Sequence, residues 1–452
     1  MELSGPDLAE RLGRAIRFQT ISEEDPARFR GEAFLDLHDY LKEAFPLVHA
    51  SMEREIVGGY SLLYTWKGSD RTLSPILLLA HLDVVPADTG PESGWTVPPF
   101  EGRVADGYIW GRGALDDKQC AMGLLEAAEL LLKQGHVPER TVSMAFGHDE
   151  EIGGFHGAAR IAELLGSRGA EFEYVIDEGL TITQGIVPNV SRPAALVGTA
   201  EKGYLSVELT VEGTGGHSSM PPPETSIGML CSAVRRLERR RFPARMGVSA
   251  RGMFEALSSE VPAALKMVYK NLWLFKPLVM KKLAAEPAGN SLIRTTAAAT
   301  VIGGGVKENV LPGRARAVVN LRILAGDTMA SVVDQIVRVI DDPRIRVRMI
   351  EPCRSDPSPA SDTGSPAFRI LERTIRQMFP EVAVAPSLCV GMTDSRHYAG
   401  MTKSIFRFLP MILGRDDLAR IHGVDERISI EGYTRFVGYY AQLIRNSCVA
   451  EP

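Results

Sequence analysis

Residues 142–146 form an apolar, β-prone run that stops abruptly at Gly147-His148-Asp149-Glu150-Glu151, followed by Ile152-Gly153-Gly154. A run of that length closed by turn residues reads as a buried strand. Ionised groups where a buried strand ends are costly unless cations pair with them or a metal binds them. Adjacent Glu150 and Glu151 suggest a division of labour, one holding a metal and the other moving protons. Alone, the stretch would also read as a solvated acidic turn. Two further runs repeat the event: residues 76–80 end in His81-Leu82-Asp83, and Tyr174-Val175-Ile176 ends in Asp177-Glu178-Gly179. Helical stretches separate the runs, and alternating strands and helices imply an open, largely parallel sheet. In such sheets ligand sites lie beyond the carboxyl ends of the strands. Three strands delivering metal-type side chains to one edge are hard to explain as coincidence.

A chain of 452 residues is too long for one ordinary core, so two domains are the default. With 24% charged residues and a net charge of -5, it is not basic enough for a nucleic-acid partner. No apolar run is long enough to span a bilayer. The first 20 residues set Leu8, Leu12 and Ile16 among charges, a helical stripe rather than a signal peptide. The five cysteines lack CxxC spacing, which argues against a disulfide framework or a cysteine zinc site and leads us to expect a reducing, cytoplasmic location.

Near residue 200 the pattern changes. Residues 205–211, 297–302, 315–323 and 345–350 read as strands, and helical faces fall at 227–237 and 329–340. This is an α+β unit with four strands and two helices, inserted rather than appended, because βα patterning resumes after Pro352. The expected organisation is a catalytic domain in two parts, 1–198 and 353–452, interrupted by a lid at 199–352. Within the lid, residues 253–283 are apolar with interspersed lysines. They read as a helical hairpin packed on the lid, or as a greasy wall for apolar substrates or a lipid surface. Gly111-Arg112-Gly113-Ala114-Leu115-Asp116-Asp117-Lys118 has glycines but not the order of a phosphate-binding loop. Either aspartate there reads equally well as a helix cap. His422, before a glycine turn, reads alone as a surface residue.

Taken in order, His81-Leu82-Asp83-Val84-Val85-Pro86, the 111–118 stretch, Asp149-Glu150-Glu151-Ile152-Gly153-Gly154, Asp177-Glu178-Gly179, Gly215-Gly216-His217-Ser218-Ser219 and Ile421-His422-Gly423-Val424-Asp425-Glu426 carry a family pattern. Over roughly residues 10–445 the chain resembles the di-zinc exopeptidase and deacylase family of carboxypeptidase S, aminoacylase-1, glutamate carboxypeptidase and succinyl-diaminopimelate desuccinylase, and looks most like the carboxypeptidase S branch. The resemblance implies an α/β catalytic domain with an open, mostly parallel mixed sheet flanked by helices, interrupted by a lid and dimerisation domain with a four-stranded antiparallel sheet. It implies two zinc ions per subunit, with Co2+ or Mn2+ as substitutes, bridged by Asp116. His81 and Asp177 would complete one shell, and Glu151 and His422 the other. In the Asp177-Glu178 pair either carboxylate could bind; the family's motif places the ligand at Asp177. Asp83 would orient His81, and Glu150 would be the general base toward a hydroxide held between the ions.

The resemblance also assigns substrate-binding residues. His217 would reach the active site of a second subunit in a homodimer formed through the lid. Asn309 would donate to the developing oxyanion, and Arg322 would pair with the substrate's carboxylate. Gly391 would present backbone, and Arg396 is a second candidate for the carboxylate. The expected activity is hydrolysis of the amide beside a free α-carboxylate in a small peptide, or alternatively N-acyl-amino-acid deacylation. A rival of another class is an inactive binding protein on the same fold.

Overall fold

A computed structural model of the chain describes residues 3–90 and 92–448. The larger sheet has eight strands in the spatial order Glu53–Val57, Ser61–Trp66, Val142–Gly147, Ile76–His81, Tyr174–Thr183, Ile405–Leu413, Ala194–Glu201 and Ala383–Cys389. Its centre is parallel: Ile76–His81 lies between Val142–Gly147 and Tyr174–Thr183, and Ile405–Leu413 follows in the same direction. Every residue of Ile76–His81 and of Val142–Gly147 is buried, as a strand covered on both faces requires. Alternate side chains serve different layers. Ile76, Leu78 and Ala80 join the core with Leu8, Leu12, Leu125 and Phe436, beneath the helices Gly5–Ile16, Lys118–Lys133 and Ile430–Ser447. Leu77 and Leu79 face Ala158, Ile161 and Leu165 of the helix Ala158–Ser167 on the other side.

The strand beginning at Tyr174 does not stop at its acidic pair. It continues through Gly179, at φ +132, to Thr183, and turns antiparallel onto Ala194–Glu201. Two strand ends, at His81 and Gly147, and the middle of a third strand, at 177–178, therefore open onto one edge of the sheet.

The second unit is a four-stranded antiparallel sheet in the order Thr296–Gly304, Arg314–Ile323, Gly203–Glu212, Ile345–Met349. The helices Ser226–Arg239 and Met329–Ile340 cover one face and close a separate core around Leu205, Leu209, Leu230, Val319 and Ile336. Residues 253–283 depart from the expected hairpin on the lid. They form the end of the helix Val248–Ala256 and two further helices, Ala263–Lys270 and Leu272–Leu283. Met253, Phe254, Leu257, Leu272 and Val279 pack instead against Ala194, Ala383 and Ala385 of the large sheet. Ala383–Cys389 is an edge strand carrying Pro386, and its small side chains leave an apolar face for these helices to cover. Among the described residues no helix is long and apolar enough to cross a membrane.

Candidate metal centre and active site

Two triads of ligand-type side chains meet at the open edge of the large sheet: His81, Asp116 and Glu178, and Asp116, Glu151 and His422. In each, one donor atom per residue lies within 4.8 Å of the others. Asp116 is shared. Its Oδ1 lies 3.0 Å from His81 Nε2 and its Oδ2 3.0 Å from His422 Nε2. Glu151 Oε1 is 3.1 Å from His422 Nε2, and Glu178 Oε1 is 3.6 Å from His81 Nε2. Oxygen and imidazole donors without thiolate suit a catalytic zinc site. Three carboxylates in one partly buried cluster also call for cationic charge. The residues present therefore fit a pair of metal ions.

Of the adjacent acids at 177–178, the structure brings Glu178 and not Asp177 into this cluster. Asp177 is buried, and both its oxygens are committed to backbone: Oδ1 accepts from Glu178 N at 2.9 Å and Oδ2 from Ser395 N at 2.6 Å. Along the extended strand the two side chains point to opposite faces, and only one of those faces meets His81. Asp83 lies beneath His81. His81 Nδ1 is 2.9 Å from the Asp83 carbonyl and 3.3 Å from its Oδ1. The same Asp83 carboxylate accepts from Glu150 N and Glu151 N, each at 3.1 Å. One side chain thus fixes both the imidazole and the turn that presents the two glutamates.

The Glu150 side chain has no hydrogen bond or ion pair among the described residues, although the residue is buried. Burial raises its carboxyl well above the usual range, against the pull of His81 and with Asp394, Glu151 and Asp83 adding to the effect. Burial opposes protonation of His81, yet its bonds to Asp116 and Asp83 raise the imidazole well above the ordinary value. His422 is pushed up to about 10, first by Asp116 and then by Glu151.

Several positioning groups carry no role in the sequence reading. Glu426 is fully buried and accepts from Arg112 at 2.5 Å and from Gly113 N and Leu115 N at 2.9 and 2.7 Å. Arg112 also donates to the His422 and Gly423 carbonyls at 3.1 and 3.2 Å. This pair locks the loop carrying Asp116 to the loop carrying His422. Both residues stand inside the quoted motifs, and a buried arginine–glutamate pair 314 positions apart leaves no local signal. Asp394 is buried with neither oxygen hydrogen-bonded among the described residues. It occupies space that Gly154, at φ +66, leaves by lacking a Cβ.

The expected substrate residues fall into two groups. Arg322 stacks on Tyr204, 4.6 Å from its ring centroid, at the end of Arg314–Ile323. Burial raises the Cys353 thiol above its ordinary value, with the charges of Arg396, Glu150 and Arg322 acting on it. Arg396 donates to the Thr393 carbonyl at 2.7 Å and to the Gly153 carbonyl, which ties it to the loop behind Glu150. Gly391 lies on the turn between Cys389 and Thr393. His217 and Asn309 are together elsewhere, exposed on a short ribbon where His217 pairs with Val310 and Ser218 N donates to the Asn309 carbonyl. Neither is bonded to the cluster among the described residues.

A family model described as peptidase family M20/M25/M40 matches residues 77–446. The N-fatty-acyl-amino acid synthase/hydrolase PM20D1 of Xenopus tropicalis is 45% identical over 97% of this chain and 86% of its own length. The probable carboxypeptidase S-like 2 of Dictyostelium discoideum is 43% identical over 98% of this chain and 86% of its own. In structure, the chain resembles an M20 family metallo-carboxypeptidase from Sulfolobus solfataricus, with TM-score 0.71 and 18% identity over 98% of this chain and 99% of that one.

Proposed function

From the premise that this chain belongs to the M20/M25/M40 peptidase family and is a hydrolase, we propose that it cleaves the amide beside a free α-carboxylate, in dipeptides and short peptides or in N-acyl amino acids. The observation that carries the reading is the unpaired Glu150 carboxyl at the margin of the two triads.

We assign two zinc ions, one to His81, Asp116 and Glu178 and the other to Asp116, Glu151 and His422. Bound there, they would supply Lewis acidity and a water acidic enough to ionise near neutral pH. Glu150 takes the proton from the attacking water and delivers it to the leaving nitrogen. Asp83 holds Glu150 in place through its backbone amide while it orients His81. Arg322 pairs with the substrate's carboxylate, for which its planar guanidinium is suited.

His217 and Asn309 complete the site from a second copy, as donors to the oxyanion. Two observations support this: both residues are exposed away from their own cluster, and Thr296–Gly304 is an edge strand with exposed Val301 and Ile302, open to pairing with another chain. The working molecule on this reading is a homodimer joined through the lid. Five unpaired cysteines support a reducing, cytoplasmic setting.

N-acyl-amino-acid hydrolysis uses the same machinery, and the similarity to a protein named N-fatty-acyl-amino acid synthase/hydrolase favours it as the second reading. The deciding experiment is a screen of dipeptides and of short- and long-chain N-acyl amino acids, with zinc added, before and after chelation. Turnover confined to α-carboxylate amides and lost on chelation is the expected result. Failure to cleave any such amide, or activity indifferent to chelation, sinks the proposal.

A further inference from the structure

Residues 261–285 carry five lysines, Lys266, Lys270, Lys276, Lys281 and Lys282, and no acidic residue, within a chain of net charge -5. They build the helices Ala263–Lys270 and Leu272–Leu283. One side of this pair is anchored: Leu272 and Val279 are buried, and Val268, Tyr269, Met280 and Leu283 pack beside them. The other side faces outward. On the second helix the exposed residues are Trp273, Leu274, Pro277, Leu278, Lys281 and Lys282. At 3.6 residues per turn these six make one continuous stripe. Trp273 is 80% exposed and Leu278 61%, and Met267 of the preceding helix is 56% exposed.

A surface helix ordinarily turns its polar face to water. This one turns out an aromatic and aliphatic patch, with lysines at its end and on the neighbouring helix. A contiguous apolar patch rimmed by charge marks an interaction surface, unlike single exposed side chains. The uniform positive sign selects an acidic partner. A second copy of the chain is disfavoured, because stacking two such stripes would bring Lys281 and Lys282 of each together, four like charges. An exposed tryptophan between aliphatic and basic residues suits the boundary between headgroups and acyl chains.

We propose that residues 263–283 dock the protein peripherally on an anionic lipid bilayer. Trp273, Leu274 and Leu278 enter the interface, and the lysines lie among the headgroups. A patch this small gives reversible attachment that weakens with salt. The proposal is independent of the substrate assignment.

The test uses the full-length protein and sedimentation with vesicles of phosphatidylcholine, alone or with about 30% phosphatidylglycerol. Binding is expected to the anionic vesicles only, with a blue shift of tryptophan emission. Of the four tryptophans Trp66 and Trp110 are buried and Trp95 is half-buried beside Arg112, so the shift is assigned to Trp273 by its loss on substitution. Lys281→Gln with Lys282→Gln should weaken partitioning roughly thirtyfold. Trp273→Ser with Leu278→Ser should abolish the shift, with circular dichroism unchanged. Absent binding, equal binding to neutral vesicles, or binding unaffected by the lysine pair would overturn the proposal. So would a dimer in solution that the Trp273 and Leu278 substitutions dissociate. Should the apolar pair of substitutions disturb folding, the lysine pair, on the exposed stripe, still decides the matter.

Discussion

The contrast between Asp177 and Glu178 offers the sharpest test of the centre, because the two residues are neighbours with opposite expected phenotypes. Asp177 accepts two backbone amides, from Glu178 at 2.9 Å and Ser395 at 2.6 Å. Hydrogen bonds to a charged group contribute about 1.5–3 kcal/mol each. In Asp177→Asn one of those amides faces a side-chain NH2 instead of an oxygen; burial raises the Asp177 carboxyl too and offsets part of that loss, so metal-free protein should lose about 1–2 kcal/mol of stability. Among the described residues the Glu178 side chain accepts no hydrogen bond; its Oε1 lies 3.6 Å from His81 Nε2 and within 4.8 Å of an Asp116 oxygen. Burial and then the charge of Asp116 hold its carboxyl well above the usual range, so neutralising it relieves repulsion. Glu178→Gln should leave metal-free stability level or slightly higher. Its zinc affinity should fall by more than the roughly 10–100-fold typical of losing an outer-shell partner. The assay is metal content after dialysis in buffered zinc, beside urea unfolding of the stripped protein. The reasoning fails if Asp177→Asn sheds metal at unchanged stability while Glu178→Gln retains both ions.

Glu150→Gln should keep the metal content of the parent and lower kcat by roughly 10²–10⁴-fold; turnover near the parent's would remove Glu150 as the base. Arg322→Met should lower kcat/KM roughly tenfold to a hundredfold on substrates with a free α-carboxylate, the loss of one charged hydrogen-bonding partner, and spare the corresponding carboxamides. An equal loss on both would make Arg322 structural. Burial, followed by the charge of Arg54, lowers the His38 imidazole to about 4, against about 6.5 when unfolded. The unfolded chain therefore takes up that proton first as pH falls. The stability from a neutral His38 is complete above pH 6.5 and is lost as pH drops toward 4, by about 3 kcal/mol at most. Urea midpoints measured across that window should fall more steeply for the parent than for His38→Gln, and parallel curves would contradict the assignment.

Hydrophobic period and acid placement made the centre of the sheet legible. The runs at 76–80 and 142–146 are buried throughout and almost wholly apolar because both faces are covered, and ligand-type side chains cluster where those runs end. Two strands beyond the switch in pattern lack that signature. Ile405–Leu413 has Arg407 and Pro410 inside it, and Ala383–Cys389 has Pro386. Arg407 is tolerated in a buried strand because its Nε meets Glu201 at 2.8 Å, a partner 206 positions away. The helices of 253–283 were legible as helices, but which sheet they cover depends on where the edge strand Ala383–Cys389 lies.

What sequence could not resolve at each acidic pair, hydrogen bonding does. Three acidic groups in the motifs, at 116–117, 149–151 and 177–178, divide between carboxylates that hold backbone amides and carboxylates that are left for the centre. Asp149 takes His156 N and Gly157 N, which leaves Glu150 and Glu151 free. Asp117 takes His81 N and the Gln119 side chain, which leaves Asp116. Asp177 takes Glu178 N and Ser395 N, which leaves Glu178. At 425–426 both acids are occupied, Asp425 by Thr96 and Glu426 by the Gly113 and Leu115 amides, and the side chain of that loop that joins the cluster is His422. Acids that grip backbone amides fix their loops within the fold itself. The acids that remain gain no such compensation for burial, and they converge within one small volume. A cluster assembled in that way is held in place by its neighbours and neutralised by what it binds, so substitutions in the first set should act on stability and those in the second on metal and turnover.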